Sequence, residues 1–240
     1  MELYNRLCTI TKQENVMKDE PMKKHTTFRI GGPADYFVTP ESKEEIQAIV
    51  ELCKKEEIPY SVIGNGSNLL VGDKGYRGVI LQIFKKMNQI RVEENKIYAG
   101  AGALLSKIAA TALSESLTGF EFAAGIPGTL GGAVRMNAGA YGGEMKQVIV
   151  NACVLTSAGE IAVIPVDLGG IPCDYQKIYD IAESKKHLFR PSNDIQRALG
   201  RIAVIADSAH SFGAVWNGKP VGSVADFSNF SFHAVKNFTT

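Results

Sequence analysis

The sequence lacks the features that identify several large classes of protein. Its four cysteines, Cys8, Cys53, Cys153 and Cys173, form no C-x-x-C pair, which argues against a zinc site and a disulfide framework. The net charge is +1 and the basic residues are scattered, so a nucleic-acid partner has no electrostatic support. No segment reaches the roughly 18 apolar residues of a membrane span. These absences predict a soluble cytoplasmic protein without a metal site, a nucleic-acid partner or a membrane partner.

What the sequence does contain is a globular composition and an ordered series of helix and strand patterns. Hydrophobic residues make up 45% and charged residues 21% of the chain, a balance typical of a protein that buries a core. Ser42 and Glu45 form a capping-box pattern followed by apolar residues at helical spacing, which predicts an amphipathic helix. Residues 1–24 are expected to form a helix and then a loop. Further predictions are a helix over 104–112 and strands after Pro33 and over 60–63, 79–83, 89–93, 96–100 and 148–156.

The most unusual stretch covers residues 119–145, in which glycines alternate with apolar residues. Glycine gives up side-chain packing and costs conformational entropy, so its repeated use here indicates backbone lying close to a flat or phosphorylated ligand. The alternative is a set of tight turns and a close helix crossing. A large ligand is favoured because a second glycine loop lies upstream.

That upstream loop, residues 64–70, follows a predicted strand and begins as G-x-G. Leu69 replaces the third glycine of the dinucleotide fingerprint and no helix follows, which argues against a Rossmann site. The backbone N–H groups of Gly64 and Gly66, with the side chains of Ser67 and Asn68, could still hold a diphosphate. A simple hairpin-like turn is the alternative.

Four motifs, at residues 27–34, 64–70, 125–133 and 137–142, occur in the order found in UDP-N-acetylenolpyruvoylglucosamine reductases. Residues 1–161 resemble that family. The resemblance implies an α+β fold with a two-lobed FAD-binding domain of the p-cresol methylhydroxylase (PCMH)/UDP-N-acetylmuramate dehydrogenase type. It places the FAD diphosphate on the first loop and the isoalloxazine against the second. The cofactor-binding residues that it implies are Gly64, Asn65, Gly66, Ser67, Asn68, Leu69, Gly125, Ile126, Gly128, Thr129, Gly131 and Gly132.

The resemblance also implies a reaction. In that family NADPH reduces FAD, which reduces the enolpyruvyl group of a UDP-linked amino sugar to UDP-N-acetylmuramate for peptidoglycan. The family's catalytic arginine, serine and glutamate lie beyond the matching motifs. Their nearest counterparts here are Arg190 in Phe-Arg-Pro-Ser and Ser223 in Gly-Ser-Val, neither in the expected surroundings, and the glutamate has no counterpart. The catalytic residues are therefore unknown, and reductase activity is expected to be impaired.

Residues 162–240 resemble a different family, the pyridoxal-phosphate (PLP)-dependent sugar aminotransferases, through motifs at 165–170, 205–213 and 230–237. The apolar run from Ile202 to Ala206 predicts a buried parallel strand that presents Asp207 at its end, where a carboxylate could pair with the pyridinium nitrogen. By resemblance, Lys236 would bind PLP covalently and Ser231 would contact its phosphate.

Together the two resemblances predict a composite chain joined near residues 158–165. An FAD-binding domain over residues 1–161 would precede a partial aminotransferase-like α/β segment over 162–240. Two alternatives to an impaired reductase stay open: a PLP-dependent aminotransferase fragment and an inactive fusion product. Whether the second segment folds onto the first also stays open.

Overall fold

The structure is a computed structural model that describes residues 2–156, 161–167, 170–191 and 194–230. The chain divides into two compact units, Met1–Val148 and Ile149–Thr240. The division predicted after residue 161 stays a prediction. Ser192, Ser231 and Lys236 lie outside the described residues.

The secondary structure of the described residues alternates helices with short strands. The helices are α1 Leu3–Ile10, α2 Lys43–Lys55, α3 Leu105–Ser114, α4 Leu130–Met136, α5 Tyr175–Ser184 and α6 Asp194–Leu199. The strands are β1 Val16–Pro21, β2 Pro33–Val38, β3 Tyr60–Ile63, β4 Tyr76–Gln82, β5 Ile90–Glu93, β6 Lys96–Ala99, β7 Gly139–Ala140, β8 Gly143–Glu144, β9 Asn151–Leu155, β10 Ile161–Pro165, β11 Ala203–Asp207, β12 Val215–Trp216, β13 Lys219–Pro220 and β14 Phe227–Asn229.

A four-stranded sheet in the order β1-β2-β4-β3 forms part of the first unit. Strands β2, β3 and β4 are parallel, whereas β1 runs antiparallel to β2. Phe37, Ile63 and Ile80 belong to the core cluster of this sheet. Ile63 at the end of β3 pairs with Gln82 at the end of β4. The carboxyl ends of these two strands therefore meet at one edge, which is where ligands bind in open α/β sheets.

Helix α2 confirms the capping pattern in part. Ser42 Oγ accepts a hydrogen bond from Glu45 N at 3.1 Å. The Glu45 carboxylate accepts from the backbone N–H of Glu41 at 2.9 Å, so it reaches one residue further back than a standard capping box. The buried face includes Ile49 and Cys53.

The N-terminal region corrects one prediction. Helix α1 is present, but the segment expected to be a loop contains β1, which pairs antiparallel with β2 in the register Val16↔Val38. Only Val16 is buried along this strand. Its six residues, VMKDEP, carry no apolar alternation because the strand lies at the edge of the sheet.

The remaining regular structure of the first unit brings the chain to the glycine-rich stretch. Both strands predicted here are present as β5 and β6, and they pair as an antiparallel hairpin. Helix α3 buries Leu105, Ile108 and Ala112. Leu104, just before α3, forms an isolated antiparallel bridge with Thr129, so the start of α3 lies beside the second glycine loop.

The second unit contains a sheet in the order β14-β11-β10-β9. Strand β10 pairs antiparallel with β9 and parallel with β11, and β11 pairs parallel with β14. The strand predicted to end at Asp207 is confirmed as β11, in which Val204 and Ala206 are buried. In both units, none of the helices that the structure describes has the length and apolar character needed to cross a membrane.

Candidate functional site

The first glycine loop follows β3 directly and lies against residues 25–27. Gly66 has a φ of +72°, and a Cβ there would lie 1.9 Å from the carbonyl oxygen of His25. Thr27 N donates to the carbonyl of Gly66 at 3.2 Å. This position therefore requires glycine for both its backbone conformation and its contact.

The same loop presents a row of backbone donors. Among the described residues, no hydrogen bond is donated by the amide N–H groups of residues 65–69. Gly66 is buried, Ser67 is half-buried and Asn68 is exposed. Successive unpaired N–H groups in a turn form a concavity that suits an anion.

The second glycine loop covers residues 125–132 and leads into α4. Gly128 O accepts from Leu105 N at 3.1 Å, and Leu130 N donates to the carbonyl of Ala103 at 2.8 Å. Gly131 N donates to the segment before α3 as well. These backbone hydrogen bonds fix the loop to the start of α3.

The two loops face each other. A Cβ at Gly64 would lie 2.2 Å from Thr129 Oγ1, and one at Gly128 would lie 3.8 Å from Ser67 Oγ. Asn68 Nδ2 donates to the sulfur of Met136, in α4, at 3.4 Å. The close approach between the loops therefore depends on the absence of a side chain at Gly64.

Thr129 lies at the meeting point and is 2% exposed. Its hydroxyl does not cap α4, and no hydrogen bond recorded for the described residues uses it. Its oxygen is not fully enclosed, so a ligand between the loops could reach it. The loops thus combine unpaired amides with an unpaired hydroxyl, a donor set that fits a diphosphate.

A cavity of about 690 Å³ lies beside the second loop. Its lining includes Phe122 and Tyr141, and the Tyr141 side chain is 97% exposed. Hydrogen bonds from its own backbone N–H, from Thr118 and from Gly119 lower the pKa of Glu121, which also lines the cavity. The cavity thus offers an aromatic wall and an ionised carboxylate.

A second cavity adjoins the first loop through Asn65, and Gln82 and Lys85 also line it. The sequence motifs did not single out Gln82 or Lys85. The signal that could have found Gln82 is its position at the end of a strand parallel to the one that delivers the glycine loop.

In the second unit, Asp207 lies at the end of β11 and is half-buried. Its Oδ1 accepts from Ala209 N at 3.2 Å. Arg190 Nη1 donates to the carbonyls of His187 and Phe189, and the Ser223 hydroxyl donates to that of Pro220. Arg190 and Ser223 are both exposed, and each donates to a nearby backbone carbonyl.

The buried carboxylate of Asp167, to which no motif gives a role, organises the segment after β11. It is 1% exposed and accepts hydrogen bonds from the hydroxyls of Tyr175, Ser208 and Ser211 at 2.8 to 3.0 Å and from Cys173 N at 2.9 Å. Burial is the main cause of the raised pKa of Tyr175, and the negative charge of the neighbouring Asp167 raises it further. This carboxylate is fully satisfied, so it positions the chain and is not a free acid.

Metal ligands and disulfides were also sought in the part of the chain that the structure describes. Within the described residues no cluster of three or more His, Cys, Asp or Glu side chains could hold a metal ion. All four cysteines are described, and none of them forms a disulfide.

Comparison with known proteins connects the two parts of the chain to two families. A model described as FAD binding domain matches residues 34–164, and one described as DegT/DnrJ/EryC1/StrS aminotransferase family matches residues 145–240. The UDP-N-acetylenolpyruvoylglucosamine reductase of Alkaliphilus metalliredigens (strain QYMF) is 51% identical over 174 residues, which cover 72% of this chain and 57% of the relative. The chain spans about half the length of the curated relatives it matches.

Solved structures are also similar to parts of this chain. The UDP-N-acetylenolpyruvylglucosamine reductase from Thermus caldophilus is 36% identical with a TM-score of 0.50, covering 60% of this chain and 50% of that one. For p-cresol methylhydroxylase the identity is 20% and the TM-score 0.50, with 67% of this chain and 34% of that one covered, a likeness of fold alone. A sugar aminotransferase from Streptococcus pneumoniae is 51% identical over 32% of this chain and 19% of that one, with a TM-score of 0.31. Both resemblances, and the α+β fold of the PCMH type, are confirmed.

Proposed function

The chain belongs to the FAD binding domain family, and on that premise we propose that its two glycine loops hold FAD. The first loop, residues 64–69, would bind the diphosphate through its amide N–H groups and the side chains of Ser67 and Asn68. The second, residues 125–132, would lie against the isoalloxazine. FAD, when bound, supplies the capacity to accept and release a hydride.

One observation carries the proposal: the loops meet at Gly64 and Thr129 and leave donors unpaired there. A Cβ at Gly64 would lie 2.2 Å from Thr129 Oγ1. The amides of residues 65–69 make no hydrogen bond within the described chain. Unsatisfied donors in a partly buried place are costly unless a ligand accepts from them, and a diphosphate has the oxygens to do so.

The activity proposed for the bound form is reduction, with NADPH, of the enolpyruvyl group of a UDP-linked amino sugar in peptidoglycan precursor synthesis. A cytoplasmic location agrees with the absence of disulfides among the cysteines. We propose that turnover is impaired, because neither Arg190 in Phe-Arg-Pro-Ser nor Ser223 in Gly-Ser-Val has the surroundings of the family's catalytic motifs. NADPH oxidation by the FAD-loaded protein, with and without the UDP-sugar, measures this directly. Full family-level turnover would contradict the impairment.

The test of cofactor binding is FAD uptake by the purified chain, followed by visible absorption and flavin fluorescence. Ser67→Leu and Asn68→Leu replace two donors by apolar groups and should weaken FAD binding by about tenfold or more, since hydrogen bonds to charged groups contribute about 1.5–3 kcal/mol each. Ser106→Leu, on the exposed face of α3, is the matched control. No flavin uptake by the unaltered chain would reject the proposal.

A second candidate function is a PLP-binding aminotransferase fragment. The observation in its favour is the carboxylate of Asp207 at the carboxyl end of the parallel strand β11. Ser231 and Lys236, which the resemblance assigns to the cofactor, lie outside the described residues. Borohydride treatment in the presence of PLP, followed by peptide mapping, decides this candidate: an unmodified Lys236 rules it out. A chain that takes up neither cofactor would be the inactive fusion product.

A further inference from the structure

The cavity beside the first glycine loop has the character of an anion site. Its volume is about 430 Å³, within the range of small-molecule pockets, and it lies where β3 and β4 end. None of its lining residues is Asp or Glu. They are Lys24, His25, Thr26, Thr27, Arg29, Asn65, Gln82, Phe84 and Lys85. We propose that this cavity binds a phosphate monoester at a site that adjoins the two-loop cradle at Asn65.

Gln82 is the observation that points to a ligand. Its exposure is 8%, and it lines the cavity. None of the hydrogen bonds recorded for the described residues uses its side chain, although the buried carboxamide has two donors and an acceptor. The atoms of its carboxamide are not fully enclosed. The amide therefore reaches the open space of the cavity. A phosphate oxygen would satisfy its N–H groups.

The charges around the cavity favour an anion. Arg29 and Lys85 are exposed at the cavity and form none of the ion pairs found among the described residues. Lys24 and His25 both contact the carboxylate of Glu20, at 3.3 and 2.9 Å. The charge of Glu20 therefore offsets Lys24 and His25. The guanidinium of Arg29 and the ammonium of Lys85 remain to attract the ligand. A planar guanidinium suits two phosphate oxygens at once.

The cavity goes beyond the proposed cofactor site because no residue of the second glycine loop lines it. It touches the first loop only through Asn65. Phe84 adds an aromatic residue to the wall, so the phosphate could belong to inorganic phosphate or to a mononucleotide whose base contacts that residue. Both sources share the same anion chemistry.

The test is calorimetric titration of the full chain with inorganic phosphate and with AMP. It is run on flavin-free protein and on protein after FAD uptake, so that a failure to bind FAD does not affect the phosphate result. We expect saturable binding of phosphate or AMP, with tighter binding of AMP if the source is a nucleotide. Gln82→Met and Lys85→Met should each weaken binding about tenfold, as loss of one charge-assisted hydrogen bond predicts.

Two control variants match these changes. Gln47→Met alters a glutamine whose amide donates to Glu51 on α2, and Lys86→Met alters a lysine that pairs with Glu41. Neither lines the cavity, so both should bind as the unaltered chain does. The proposal is overturned if neither probe binds, if Gln82→Met and Lys85→Met bind normally, or if FAD displaces AMP one for one, which would assign the cavity to the cofactor itself.

Discussion

Replacing Gly64 by alanine tests the close approach on which the proposed FAD site depends. The new Cβ would lie 2.2 Å from Thr129 Oγ1 and 3.3 Å from Thr129 Cβ. Both atoms belong to a side chain that is 2% exposed. Because a β-branched side chain has few alternative rotamers, Thr129 cannot easily turn away, and the two loops must separate.

The size of the effect follows from this geometry. Ordinary contact begins at 3.4 Å, so the loops would have to move apart by about 1 Å. Overpacking of this kind typically costs about 1–3 kcal/mol, a large share of the stability of a domain. A displacement of about 1 Å also takes a hydrogen bond of about 2.9 Å beyond its normal range, so the two loops could no longer both hold one ligand as before. We therefore expect a loss of about 2 kcal/mol in stability and a strong loss of FAD affinity.

Two measurements separate these effects. Urea unfolding of the flavin-free chain, followed by circular dichroism, reports the strain, and quenching of flavin fluorescence reports FAD binding. Gly72→Ala is the control, because a Cβ there would meet no atom within 4 Å. In the double variant with Thr129→Ala, part of the lost stability should return. If Gly64→Ala unfolds and binds FAD as Gly72→Ala does, the loops do not meet as described and the reasoning is refuted.

Three further predictions concern stability and reactivity. Asp226→Asn should lower the unfolding free energy by about 1–3 kcal/mol, because the carboxylate accepts two hydrogen bonds from Arg201, at 2.7 and 2.8 Å. Burial raises the pKa of Asp226, but the hydrogen bonds from Arg201 outweigh it and lower the pKa below 3.8. The stabilisation is therefore complete above about pH 4 and is lost as the pH falls further. The difference in stability between Asp226→Asn and the unaltered chain should shrink in acid. Tyr175→Phe should cost about 1–3 kcal/mol in urea unfolding, since buried Asp167 loses its phenolic donor; an unchanged midpoint would contradict the network. Burial raises the pKa of Cys53 to about 11, so mass spectrometry should find this thiol unlabelled by iodoacetamide in the native chain at about pH 8 and labelled after unfolding.

The elements that the sequence predicted are those whose signals are local. Helix α2 has its cap at Ser42 and its apolar spacing within one continuous segment. The apolar run that forms β11 is likewise uninterrupted, and it ends at Asp207 as predicted. Strand β1 has no such signal: it is charged, lies at a sheet edge and exists because β2 offers hydrogen-bonding partners. Local patterns could not reveal it.

The candidate site was predictable only in its parts. The motifs identify both glycine loops, but their meeting at Thr129 depends on backbone hydrogen bonds that join the second loop to the start of α3. Gln82 was missed because one glutamine at a strand end carries no motif. Its importance comes from the pairing of β4 with β3, which places it beside the loop that begins at Gly64.

Strand β10 has a consequence for how the sheet of the second unit covers its backbone groups. Residues 161–164 of this strand lie in the region that both family models match, whereas β11 lies only in the aminotransferase match. A hairpin of β9 and β10 alone would leave one side of β10 with bare amides and carbonyls able to recruit another molecule. Because β11 occupies that side, a strand from the segment that only the aminotransferase model matches supplies the hydrogen-bonding partners that β10 would otherwise lack.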